Sequence, residues 1–102
     1  MPACDSEGFL KNLADWNEPV AAPLAQQAGI TLASEHWEVI TTLRDFYAKH
    51  KVAPANRALV NLIRREHGPE KGQSRYLMGL FGGSPAKLSA KIAGLPKPEN
   101  CL

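Results

Sequence analysis

Apolar residues in this chain recur at helical spacing, and no alternating apolar–polar run reaches strand length anywhere in its 102 residues. That pattern leaves a helical fold as the only architecture whose core the sequence can supply. The strongest stretch is Glu35 to Lys51. There Trp37, Ile40, Leu43 and Tyr47, with Phe46 beside them, form one stripe that reads as core and not as a cofactor box. Ser34 is the expected N-cap, Glu35 suits the positive end of the helix dipole, and Lys49, His50 and Lys51 suit the negative end.

Four further helices are read from stripes and punctuation. Trp16, Val20, Leu24 and Ala28 recur every four residues from Asp15 to about Ala28, with Gly29 as a stop and with Pro23 expected to kink or break the helix. A third helix is expected from Ala55 to Glu66, with Leu59, Val60 and Ile63 inward and Arg57, Asn61, Arg64 and Arg65 on the opposite side. His67-Gly-Pro ends it. A short helix follows from Gln73 to Phe81, and Gly82-Gly83-Ser84-Pro85 is a loop. The last helix runs to about Ala93, with Ser84 as cap, Pro85 at its first position, and Leu88 and Ile92 inward.

Gly94 lies where that helix should end, and Pro96 and Pro98 exclude helix and stiffen the chain toward an extended form. The expected division is a helical domain over residues 1–93 and a C-terminal arm over residues 94–102, with a thiol, Cys101, one position from the end. On residue type alone two readings stand: a thiol carried to another protein's site, or an incidental cysteine on a frayed tail.

Bulk properties narrow the class. A chain of this length makes one domain with a single core. Two cysteines are too few for a disulfide scaffold, so Cys4 and Cys101 read as thiols of a reducing compartment, and a cytoplasmic location is expected. Met1-Pro-Ala-Cys-Asp-Ser-Glu lacks the basic and apolar regions of a signal peptide, and no run is long enough to span a bilayer. Cys101 does not have the spacing of a prenylation site. A net charge of +2 does not by itself argue nucleic-acid binding. His36, His50 and His67 share no metal-ligand spacing, so no metal and no cofactor are expected. Cys4 reads as an incidental thiol in a mobile N-terminus.

A rival reading rests on the basic residues. Helices 35–51 and 55–66, joined by Val52-Ala-Pro54, would form a helix-turn-helix-like pair with Arg57, Asn61, Arg64 and Arg65 on the second helix and Lys71 and Arg75 extending the patch. Such residues would serve a DNA-binding or regulatory module on phosphates and base edges. A solvated face, which Glu66 and Glu70 favour by diluting the charge, stands ahead of it, with contact to an acidic partner or tRNA between the two.

The tail Leu95-Pro-Lys-Pro-Glu-Asn-Cys-Leu102 resembles the C-terminal signature of the DsrC/TusE family of sulfur-relay proteins. Asp5-Ser-Glu-Gly-Phe-Leu10, Asp15-Trp-Asn-Glu18, Glu35-His-Trp-Glu-Val-Ile40, Gly68-Pro-Glu-Lys-Gly72 and Pro85-Ala-Lys87 resemble further family blocks in order, so the resemblance runs from about Asp5 to Leu102. The sulfite-reductase branch carries a second cysteine eleven residues before the penultimate one, where this chain has Ala90. The resemblance therefore implies the TusE-like branch. It departs from the family pattern at Asn100 and Leu102 and in its short N-terminus.

The implied fold is mainly α (α+β in the family): an orthogonal bundle of about five helices, an N-terminal hairpin short or absent, and an extended C-terminal arm. The implied activity is sulfur carriage on Cys101 as a persulfide, with no stand-alone active site. The implied partners are an upstream TusBCD-like sulfurtransferase complex and a downstream MnmA-like tRNA 2-thiouridylase acting at the wobble uridine. The terminal carboxylate should raise the Cys101 pKa, and Lys97 is the residue placed to oppose that rise.

Overall fold

The computed structural model describes residues 1–99. After a 3-10 turn at Leu13–Asp15 come five helices: α1 (Glu18–Gln27), α2 (Ser34–His50), α3 (Asn56–His67), α4 (Ser74–Phe81) and α5 (Pro85–Ile92). This is the expected mainly helical bundle, and among the described residues no strand forms. The hairpin is reduced to a single antiparallel bridge between Cys4 and Leu10.

The shortest helices organise the bundle. α5 packs against α1, α2, α3 and α4. Its buried residues are Pro85, Ala86, Ser89, Ala90 and Ile92, and their small side chains let four helices approach one axis closely. Ser89 is fully buried, and its hydroxyl is satisfied by donating to the Pro85 carbonyl. Around α5 lie Leu24, Ile40, Leu43, Leu59, Ile63, Leu77 and Phe81, each at most 1% exposed. The arm thus leaves from the helix at the centre of the core.

Several local expectations are corrected. Trp16 precedes α1, and Asn17 caps the helix by accepting the Val20 N–H at 3.1 Å. Pro23 sits inside α1 without ending it. It removes one donor in the middle of the helix, while burial of Ala21, Leu24 and Ala25 beside it holds the backbone helical. Ser34 is the first residue of α2 and not its cap; its hydroxyl donates to Glu35 at 3.0 Å, and the His36 ring caps the helix instead. Ser84 occupies the cap position of α5, but Asn56 Oδ1 accepts the Ala86 N–H at 2.9 Å. Buried Val39 and Leu62 extend the expected stripes of α2 and α3.

The N-terminus is docked. Asp5 Oδ1 accepts the N–H groups of Glu7 and Phe9 at 2.9 and 3.0 Å, Gly8 takes φ 90°, and Phe9 and Leu10 enter the core. Cys4 is half-buried against that core, not carried on a free end. No helix among the described residues is long and apolar enough to cross a membrane.

Candidate functional site at the root of the arm

Cys101 lies outside the described residues, so the site is built from what holds the chain leading to it. α5 ends in a Schellman turn. Gly94 at φ 72° donates to Lys91 O at 3.1 Å, and Leu95 donates to Ala90 O at 2.9 Å. A side chain at Gly94 is excluded twice: the φ is left-handed, and a Cβ would lie 2.3 Å from Trp16 Cδ1.

Two side chains from distant parts of the sequence close on the same turn. Trp16 Nε1–H donates to the Ile92 carbonyl at 2.9 Å. Arg44 Nη1 donates to the Ala93 carbonyl at 2.6 Å, and its guanidinium lies 3.9 Å from the centre of the Trp16 ring. These carbonyls belong to buried residues and have no helical partner at the negative end of α5, where a cation and a ring N–H are both favourable. Burial lowers the Arg44 pKa from its ordinary value, which still leaves a charged donor at neutral pH.

The arm root itself is core. Gly94 is buried and Leu95 is 3% exposed. Beyond it, Lys97 Nζ meets Glu7 Oε1 at 3.1 Å, so the ammonium expected to oppose the thiol's pKa rise is engaged with the N-terminal loop. Pro98 is buried, and Glu99 borders an apolar groove lined by Phe46, Val52, Ala53, Pro54, Ala55 and Ala58. Ala90, which stands in place of the second cysteine, is 1% exposed, with its methyl in the core.

The basic patch is partly consumed by structure. Arg57, Asn61, Arg64 and Arg65 are exposed on α3 as expected. Arg64 Nη2, however, donates to Gly72 O at 2.9 Å, Lys71 pairs with Glu38 at 2.6 Å, and Arg65 contacts Glu66 at 3.3 Å. The Glu38 hydrogen bond raises the Lys71 pKa, as expected for an ammonium held by a carboxylate.

The three histidines take separate places. His36 is 8% exposed; its Nδ1 accepts the Ala33 N–H at 3.0 Å, and its Nε2 donates to Leu80 O at 2.8 Å. His67 Nε2 lies 2.7 Å from Thr42 Oγ1, whose own proton goes to Glu38 O, so His67 is the donor in that pair. His50 packs against the Phe46 ring.

The role of Arg44 escaped the sequence reading, although a signal was present. Arg44 falls between Ile40 and Tyr47 at helical spacing, a charge on the otherwise apolar stripe of α2. A charge so placed needs a buried acceptor.

The family model described as "DsrC like protein" matches residues 2–102. The protein named Sulfurtransferase TusE of Photorhabdus laumondii is 52% identical over 98 residues, covering 96% of this chain and 88% of that one. Its namesake in Escherichia coli K12 is 50% identical, covering 96% and 90%. Among solved structures, DsrC of Allochromatium vinosum superposes with a TM-score of 0.88 at 45% identity, covering 98% of this chain and 89% of that one. The oxidized gamma-subunit of the dissimilatory sulfite reductase (DsrC) from Archaeoglobus fulgidus gives 0.85 at 40% identity, covering 99% and 92%. A match this continuous, running through the N-terminal loop, all five helices and the arm, means that the chain belongs to the DsrC-like family.

Proposed function

We propose that this protein is a cytoplasmic sulfur carrier in which residues 94–102 form an arm that presents Cys101 to two partners in turn. The observation that carries the reading is the half-identity, over 96% of the chain, to proteins named Sulfurtransferase TusE, together with a cysteine one position from the C-terminus. The Cys101 thiolate attacks the outer sulfur of a donor persulfide. A new S–S bond forms on Cys101, the donor's S–S bond breaks, and the donor leaves as a thiolate. An acceptor thiolate then takes the outer sulfur in the same way and regenerates the Cys101 thiolate, so nothing is oxidised or reduced overall. The donor class is a TusBCD-like sulfurtransferase complex, and the acceptor class is a tRNA 2-thiouridylase. Ala90 favours this relay over disulfide chemistry between Cys101 and a second cysteine at position 90, because a methyl group cannot resolve a persulfide.

The test is intact-mass analysis after incubation with a persulfide donor. The expected result is a gain of one sulfur atom on the C-terminal peptide, lost in Cys101→Ser and kept in Cys4→Ser. Retention in Cys101→Ser with loss in Cys4→Ser would overturn the assignment.

A further inference from the structure

We propose that Arg44 and Trp16 are positioning residues for sulfur transfer: they fix the direction in which the arm leaves the domain. The proposal rests on the carrier reading above and names residues that the reading does not contain. Its basis is that both side chains spend their polar groups on the last carbonyls of α5. Trp16 Nε1 reaches Ile92 O across 76 positions of sequence, and Arg44 Nη1 reaches Ala93 O across 49. They also brace each other, with the guanidinium stacked 3.9 Å from the indole centre. Trp16 closes over Gly94 so tightly that no Cβ fits there.

The restraints run consecutively along the chain. Ile92 and Ala93 are held through their carbonyls, Gly94 by its φ and the indole, and Leu95 by burial and its bond to Ala90 O. Pro96 then fixes its own φ, and Lys97 is tied to Glu7. The Schellman turn satisfies the carbonyls of Ala90 and Lys91, and the two side chains take the next two, those of Ile92 and Ala93. The two added side chains anchor α2 and the segment before α1 to the base of the arm. That is what directing a nucleophile at a partner's buried sulfur requires, since small misplacement of a reacting group is costly.

The test uses the full chain. One nitroxide is placed on Cys101 in a Cys4→Ser background and a second on Asn61→Cys, and the distance distribution between them is measured by pulsed electron resonance. Sulfur uptake by unlabelled protein is followed from two donors, glutathione persulfide and a persulfidated TusBCD-type complex. Arg44→Ala is expected to broaden the distribution and to slow uptake from the protein donor about tenfold, leaving glutathione persulfide uptake unchanged. Trp16→Phe keeps a ring under Arg44 and over Gly94 while deleting the Nε1 donor. It should show the same pattern at smaller size, and it serves if Arg44→Ala folds poorly. Unchanged distributions in both variants, or equal slowing with both donors, would overturn the proposal. If the native Cys101 takes sulfur from neither donor, the carrier reading fails instead, and the distance measurement still reports whether the two residues aim the arm.

Discussion

Gly94→Ala should be far more damaging than the same change at Gly29, although the two glycines occupy equivalent turns. Both follow a helix, at φ 72° and 74°, and both close a Schellman pair: Gly94 to Lys91 O with Leu95 to Ala90 O, and Gly29 to Gln26 O with Ile30 to Ala25 O. A Cβ at Gly29 would meet nothing within 4 Å, whereas at Gly94 it would lie 2.3, 2.4 and 2.7 Å from Trp16 Cδ1, Cγ and Cβ. At Gly29 alanine therefore bears only the left-handed conformation, about 1 kcal/mol. At Gly94 the indole must also withdraw. Doing so breaks its 2.9 Å bond to Ile92 O, for about 1 kcal/mol, and its stack with Arg44, for about 0.5–1 kcal/mol. The expected total is about 3 kcal/mol against about 1, or a thermal midpoint lowered by roughly 12–24 °C against 4–8 °C for a domain of this size. Thermal unfolding followed by circular dichroism measures both. Trp16→Gly removes all three clashing atoms, so in that background the two alanine substitutions should cost the same, a coupling of about 2 kcal/mol. Equal losses at Gly29 and Gly94 in the otherwise native chain would refute the steric account and the packed arm root with it.

Two other outcomes follow from the same structure. Against a chain ending at Pro98, a chain ending at Ala93 loses Leu95 burial and both Schellman bonds, together about 3–4 kcal/mol. Urea titration of the two truncations checks this, and equal midpoints would place the arm root outside the core. His36→Leu should destabilise by about 1–2 kcal/mol, chiefly by leaving the half-buried Leu80 carbonyl without its donor, while the exposed Ala33 N–H turns to water and its hydrogen exchange rises.

Helix number, helix order and the stop at the end of α5 were legible because their causes are local. Apolar residues at 3–4 spacing in Glu35–Lys51 and Ala55–Glu66, Gly29 and Gly94 as stops, and Pro96 and Pro98 as breakers each act within a turn or two of their own position. The placement of Cys101 at the chain end, and the family likeness of the residues before it, needed no coordinates at all.

What only the tertiary structure decided are contacts between residues remote in sequence. Pro23 stays helical because Leu24 and Ala25 are buried beside it, which outweighs one lost hydrogen bond. The N-terminus docks because Phe9 and Leu10 have a core to enter, taking Cys4 with them. Ser34 yields its cap to His36 because the buried His36 ring satisfies both of its own nitrogens by bridging the Ala33 N–H and the Leu80 carbonyl. Trp16 reads from the sequence as a stripe aromatic, and Arg44 as a charge set into the apolar stripe of α2. They meet at the end of α5 because the Ala93 and Ile92 carbonyls, 49 and 76 residues away, lack helical partners and lie within their reach. Periodicity along the sequence reports which face of a helix is buried, but not which distant backbone group will meet it there.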